Sequence, residues 1–259
     1  MKAYLINLDR SPDRLLRMKA EFAKANINFE RVTAVEGKLL SNAEVAGIKT
    51  NPGWKQPLNR TEIGCFLSHR KCLELIARGT DKFAAVFEDD VRLSKDAHRF
   101  FISDVWVPAN ADVIKLETHE RKVLMDETEV LVGERYSVAR LRSQHILSAG
   151  YIISRRCAKD LLTRMNDAAA PVDHFFFTPA CGFFNELVIY QVSPAICGQA
   201  GLASTLGADR SSEYQRPPVW RRIIRETKRP FQRLKTALWG AYINRFTKQK
   251  WAVVPPVSD

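Results

Sequence analysis

Glu88-Asp89-Asp90 places three carboxylates directly behind an apolar run, Phe83-Ala84-Ala85-Val86-Phe87. Adjacent carboxylates repel one another, and together they become favourable around a hard divalent cation. A cation held there could in turn hold a diphosphate. Alternate strand residues share a face, which predicts Glu88 and Asp90 toward one site and Asp89 away from it. The plain alternative is a solvated acidic turn after a strand. The apolar run favours the site, because buried strands of open α/β sheets present ligands with their carboxyl ends.

Three other groups carry possible chemistry. Asn7-Leu8-Asp9-Arg10 closes a first apolar run just before a helix start. Asp9 could accept hydrogen bonds from a base or ribose, and Arg10 and Arg14 could pair with phosphates; a charged surface turn explains the same residues equally well. Cys65, His69 and Cys72 recur at helical spacing. That could gather metal ligands, but a core-facing stripe accounts for it better, since cysteine packs as a small hydrophobe and no fourth ligand is evident. Asp173-His174 lies between Pro171 and Phe175-Phe176-Phe177. An apolar setting tunes ionisable groups toward acid–base work, or else the pair is a helix cap followed by core aromatics. No G-x-G-x-x-G or G-x-x-x-x-G-K-[ST] occurs, so neither a dinucleotide fingerprint nor a P-loop is supported.

The elements that must position these residues alternate. Lys2–Leu8 reads as a strand, and Ser11-Pro12-Asp13 starts a helix whose stripe is Leu15, Met18, Phe22 and Ala25. Asn28–Val35 reads as a strand ended by Gly37, and residues 49–59 as a loop. Asn59 to Glu62 suits a capping box opening a helix through Ile76. Strands follow at Phe83–Phe87, Asp112–Leu116, Tyr151–Ser154 and Leu187–Val192, with a helix at Arg156–Met165 and loops at Pro171–His174 and 198–212. Residues 118–144 carry no clear period. This alternation predicts a mostly parallel sheet with helices on both faces.

The 259 residues suffice for one large α/β domain. Met1 runs almost directly into the first strand, so no targeting segment is expected, and no apolar stretch approaches a membrane span. Five cysteines without a C-x-x-C pair suit a reducing compartment. The formal charge of +11 is uneven: residues 216–251 hold eleven Lys or Arg against Glu226 alone. The expected division is a catalytic domain over 1–215 and a basic amphipathic helical tail over 216–259. In the tail, apolar residues from Trp220 to Phe246 recur at helical spacing, and Trp239 and Trp251 add interfacial aromatics. Such a segment suits an anionic membrane surface, against the bland reading of a packed helical pair. The basic tail alone also allows a nucleic-acid-binding protein, and the carboxylates alone a metal-dependent phosphohydrolase.

Ordered blocks then resemble one family. Tyr4 through Arg14, Thr33 through Gly37, Thr61 through His69 and Phe87 through Asp90 are similar to glycosyltransferase family 25. So are Asp112 through Leu116, Gly150 through Ser154, Pro171 through His174, and Ser204-Thr205-Leu206. The family contains bacterial lipopolysaccharide and lipooligosaccharide galactosyltransferases and is related to collagen galactosyltransferases. The resemblance implies a GT-A-like fold and inverting transfer from a UDP-sugar, most often UDP-galactose, to a glycolipid or oligosaccharide acceptor. It places Asn7, Asp9, Arg10, Arg14, Val35, Glu36, Gly37, Glu88 and Asp89 at the donor. Glu88-Asp89-Asp90 stands where such enzymes carry D-x-D, with Mn²⁺ or Mg²⁺ on Asp90 and Glu88 and with Asp173 as general base. The first acid departs from the pattern in being Glu, and the middle one is also acidic, which leaves open which carboxylate touches the metal. The implied location is cytoplasmic, on the inner face of the cytoplasmic membrane, with no nucleic-acid partner expected.

Overall fold

The computed structural model describes residues 1–166, 169–202 and 235–256. Its first strands are β1 (Lys2–Asn7), β2 (Glu30–Thr33) and β3 (Phe83–Glu88), joined by helices α1 (Pro12–Lys24), α2 (Asn42–Ala46) and α3 (Arg60–Arg78). After a short β4 (Val91–Leu93) and α4 (Arg99–Ile102) come β5 (Val113–Lys115), β6 (Lys122–Val132), β7 (Tyr136–Leu141) and β8 (Gly150–Ser154). Helices α5 (Arg155–Met165) and α6 (Val172–Phe177) precede β9 (Ile189–Ser193) and β10 (Cys197–Gln199). A helix over 235–246, α7, leads to β11 (Gln249–Val253).

Nine strands form one sheet in the order β11-β6-β7-β9-β5-β8-β3-β1-β2, and β4 pairs with β10 beside it. The strands β2, β1, β3, β5, β9 and β6 run one way; β8, β7 and β11 run against them. The sheet is therefore mixed, with its main direction shared by most strands as expected. Alternation along β1 and β3 divides the core. Tyr4, Ile6, Ala84 and Val86 pack with α3, α5 and α6, through Phe66, Leu161 and Phe175. Ala3, Leu5, Ala85 and Phe87 pack with α1 and α4, through Phe22 and Phe100. Both faces are covered, which is why these strands read as unbroken apolar runs.

Several local expectations hold. Asn59 and Glu62 form the reciprocal capping box of α3. Others change. Ser11 precedes α1 but makes no side-chain cap bond. The segment 118–144 contains β6 and β7, a ribbon that turns at Gly133 in the left-handed region, φ 67°. Much of β6 is exposed, so its sequence lacks clean alternation. Pro171–His174 is not a loop: Asp173 and His174 lie in α6, a six-residue helix too short to show a period.

The expected helical tail also changes. Residues 249–253 are a strand, paired antiparallel with β6 from Gln249↔Asp126 to Val253↔Lys122, and Val254 is fully buried. The expected boundary at 215, with Trp220 and residues 216–234, lies outside the described residues, as does Ser204-Thr205-Leu206. Trp251 is a half-buried residue of β11 and meets Trp239 edge to face at 5.1 Å, while Trp239 stays 42% exposed. No helix among the described residues is long and apolar enough to cross a membrane.

Candidate active site

The carboxyl ends of β1 and β3 lie side by side, with Ile6 opposite Glu88, and a cleft opens over them. Asn7, Arg10, Val35, Glu36, Gly37, Glu88 and Asp89 line it from the sheet side, facing Thr61, Cys65, Ser68 and His69 of α3 across about 570 Å³. Two glycines allow the walls to close. A Cβ on Gly64 would stand 2.7 Å from the Val35 carbonyl oxygen, and one on Gly37 would stand 2.0 Å from that of Arg60. The Val35 N–H donates to Ser68 Oγ at 2.8 Å, and that hydroxyl donates to the Gly64 carbonyl at 2.6 Å. Arg10 and Glu36 pair at 2.6 Å among the lining residues.

The three carboxylates separate into three environments. Strand β3 ends at Glu88 and β4 begins at Val91, so Asp89 and Asp90 form a turn and strict alternation does not apply. Asp89 does not point away from the site as alternation predicted. It lines the cleft, where Asn7 Nδ2 donates to it at 2.7 Å and the Arg14 guanidinium at 2.9 Å. Arg17 donates to its backbone carbonyl at 3.1 Å. Asp89 is thus a structural anion holding β1 and α1 against β3.

Glu88 accepts from Ser148 Oγ at 2.9 Å and faces His69 Nε2 at 3.3 Å, while His69 Nδ1 lies 3.0 Å from the Tyr151 hydroxyl. Burial acts to raise its pKa, but the bonds to His69 and Ser148 outweigh it and hold the carboxyl below the ordinary value. Asp90 has no such support. Its Oδ1 is buried without a hydrogen-bond partner. Burial first, then the charges of Glu88 and Asp89, push its pKa up to about 6. A buried carboxylate oxygen short of positive charge is the donor a hard cation takes. Asp90 therefore fits a divalent ion better than Asp89, whose two oxygens are already engaged.

Two of the expected donor residues, Asp9 and Arg14, do not line the cleft; Asp9 pairs with Arg31 at 2.5 Å, and Arg14 acts through Asp89. Asp173 lies in the first turn of α6, half-buried, its Oδ1 accepting from the His174 N–H at 2.9 Å. Its charge reaches Lys115, at the carboxyl end of β5. Cys72 turns into the core, and burial drives its thiol pKa far up. Cys65 and His69 instead converge with Glu88, their ligand atoms within 4.8 Å of one another.

Sequence reasoning missed Ser68, Ser148 and Tyr151, which position Val35, Glu88 and His69. It also missed a buried pair, Lys115 and Glu117, whose Nζ and Oε1 stand 3.9 Å apart. Two polar residues one apart at the end of an apolar strand were the available signal. Burial pushes Glu117 up to about 7, against the pull of Lys115. Burial likewise lowers Lys115 to about 8, against the pull of Glu117.

The family model described as Glycosyltransferase family 25 (LPS biosynthesis protein) matches residues 1–176. The chain belongs to this family. It is 30% identical over 243 residues to lacto-N-neotetraose biosynthesis glycosyltransferase LgtE of Neisseria meningitidis serogroup B, covering 87% of this chain and 86% of LgtE. It is 36% identical over 186 residues to procollagen galactosyltransferase 1-B of Xenopus laevis, covering 67% of this chain and 30% of that protein. Among solved structures, a glycosyltransferase involved in glycosylation of the major capsid of PBCV-1 aligns with a TM-score of 0.44 and 10% identity, over 81% of this chain and 97% of that one. This family 25 member is accordingly a glycosyltransferase of the lipopolysaccharide and lipooligosaccharide type. Family membership displaces the nucleic-acid-binding and phosphohydrolase readings.

Proposed function

We propose that the enzyme moves galactose from UDP-galactose to a lipooligosaccharide-type acceptor, in one displacement with inversion. The observation that carries this reading is Asp90, a buried carboxylate with an unpartnered oxygen at the strand end beside the cleft. The galactosyltransferase name of the Xenopus relative supports the choice of donor sugar. The slot formed by Ile6, Ala34 and Val35 suits the flat face of a base, and Arg10 with Glu36 suits its polar edge or the ribose. Asp90 would hold Mn²⁺ or Mg²⁺ with Glu88 beside it, an ion that supplies positive charge against a diphosphate.

The chain's own groups do the rest. His69 and Ser148 fix Glu88 in the ionised form, oriented toward the cleft. Asp173 takes the proton of the acceptor hydroxyl. The acceptor oxygen bonds to the anomeric carbon as the bond to the diphosphate oxygen breaks, and UDP leaves with the electron pair. One inversion follows, and no glycosyl-enzyme forms.

A panel of UDP-sugars tests the reading through thermal protection, which is set by donor affinity alone. UDP-galactose should protect more than the other UDP-sugars, and more with Mn²⁺ than in excess EDTA. Equal protection in EDTA would remove the cation; no protection by any UDP-sugar would remove the donor assignment.

A further inference from the structure

A second cleft flanks the carboxylate turn on its other side. Arg92, His119, Glu120, Leu147 and Gln199 line about 1070 Å³ there. The two clefts share a wall one dipeptide thick: Leu147 lines the second, while Ser148 donates to Glu88, which lines the first. The β10 end of the second cleft also reaches Asp90, which lines neither cleft. Gln199 is registered opposite Val91, and the Ala200 N–H donates to the Asp90 carbonyl at 2.6 Å. We propose that this second cleft binds the acceptor saccharide, an inference that rests on the donor assignment above.

The wall carries signs of a built site. Of the three described non-glycine residues with positive φ, two line this cleft: Glu120 at 58° and Leu147 at 86°. Leucine enters that region only where its surroundings hold it, and such conformations gather at ligand sites. The hold is visible. The buried Lys115 ammonium donates to the Leu147 carbonyl at 2.6 Å and sits 3.8 Å over the Phe177 ring. Glu117 lies beside Lys115, buried, and its Oε2 has no partner.

His145 adds a second observation. It is fully buried, and its ring meets that of His119 edge to face at 4.5 Å. The Gln191 amide nitrogen donates to the carbonyls of Val192 at 2.8 Å and Glu117 at 3.1 Å, which turns its Oε1 toward His145 Nδ1 at 2.7 Å. Nδ1 therefore carries the proton, and Nε2 is a bare acceptor without a partner. Burial, with Lys115 and His119 nearby, keeps the ring neutral.

The lining fixes the class of ligand. A guanidinium, a carboxylate, an imidazole and an amide share one surface. A polyanion would meet Glu120, and an apolar chain would strand all four. A sugar ring, whose hydroxyls both donate and accept, can use each of them. Its position beside Glu88 and Asp90 brings an acceptor hydroxyl to the face where a donor sugar would end.

The test uses saturation-transfer NMR on the full chain with UDP and Mn²⁺, and initial rates with UDP-galactose and Mn²⁺, probing with lactose and N-acetylglucosamine. Arg92→Ala and Gln199→Ala change exposed side chains, and His119→Ala changes the half-buried one. Each should raise the acceptor KM about tenfold, as expected for one or two lost hydrogen bonds. The sugar-proton signals should fall while the UDP signals stay. Unchanged acceptor KM and sugar signals in all three variants, with UDP bound normally, would overturn the second cleft alone. Sugar signals that disappear only together with those of UDP would place the acceptor in the first cleft. A wild-type protein that binds neither UDP nor UDP-sugar would overturn the donor assignment and this inference with it.

Discussion

The two clefts are built in opposite ways. The first is made from residues 6–89, with each wall carried by one continuous block: the β1 turn, the 34–37 turn, one helix and one strand end. The second takes runs of one to three residues from positions 92, 118–120, 147, 198–199 and 256. Its scaffold includes the segment that follows β11: the Thr118 hydroxyl donates to the Val254 carbonyl, and the Ala195 N–H to that of Pro255. A nucleotide diphosphate is a constant ligand that a compact block can serve. A variable glycan is better met by loops that can differ separately, since loops tolerate change that strands do not.

The residue that should affect transfer most belongs to neither lining. Asp173→Asn keeps size and polarity but removes the carboxylate proposed as the base. Transfer at saturating substrates should fall about 10²–10⁴-fold, with UDP-galactose protection against melting unchanged. Normal turnover with weakened donor binding would assign Asp173 to the first cleft and leave the base elsewhere.

Lys115→Met separates the clefts by stability. Removing the ammonium leaves the buried Glu117 unpaired and the Leu147 carbonyl without its donor. The expected loss is about 3–5 kcal/mol near neutral pH. Its pH dependence has a fixed sign. Glu117 is raised from 4.5 to about 7 in the folded chain, so between those values the native state holds more protons. The Glu117 contribution is therefore present below 4.5 and lost as pH rises through about 7. Lys115 is lowered from 10.5 to about 8, so its contribution returns between 8 and 10.5. Without Lys115 the Glu117 carboxyl rises further, and denaturant unfolding should show the variant closer to wild type at pH 5 than at pH 8. An equal deficit at both would mean the pair acts through packing alone.

Gly64→Ala presses on the first cleft only. The added carbon meets backbone atoms of Val35 and Gly37, at 2.7 and 2.8 Å, and neither can rotate away. Overpacking of this kind costs about 1–3 kcal/mol. Thermal midpoint and donor affinity should both fall while the acceptor KM holds. A weaker acceptor with an unchanged donor would reverse the assignment of the clefts.

The same contrast explains what the sequence makes legible. Glu88-Asp89-Asp90, the capping box at Asn59 and the turn at Glu36-Gly37 are local signals, and the first cleft could be assembled from them. The role of Asp89 was hidden because its partners Asn7 and Arg14 lie 82 and 75 residues away. The reversed direction of β8 was hidden because a strand buried on both faces carries no mark of polarity. His145 and Gln191, 46 positions apart, matter to each other only through folding. The lining of the second cleft is likewise gathered from five separate places in the chain.

The smallest expected effect on chemistry lies at α7. Leu238, Tyr242 and Phe246 recur one turn apart and are 64%, 57% and 67% exposed. With the exposed Trp239 they are what supports the membrane-surface reading among the described residues, while Trp251 is committed to the sheet. Cations among residues 216–251 would add attraction to an anionic bilayer that salt weakens. Leu238→Ser with Phe246→Ser should reduce sedimentation with anionic vesicles and leave transfer to a soluble saccharide within about twofold, because neither residue touches a cleft. The fold should tolerate the pair, since little buried apolar area is lost at exposed positions. Should the double variant melt early, the stripe is a covered interface within the chain. Should it fold and still bind vesicles like wild type, the basic residues act without insertion, and binding should then vanish as salt rises. Wild-type protein that ignores anionic vesicles at low salt removes the membrane reading altogether, while both clefts stand.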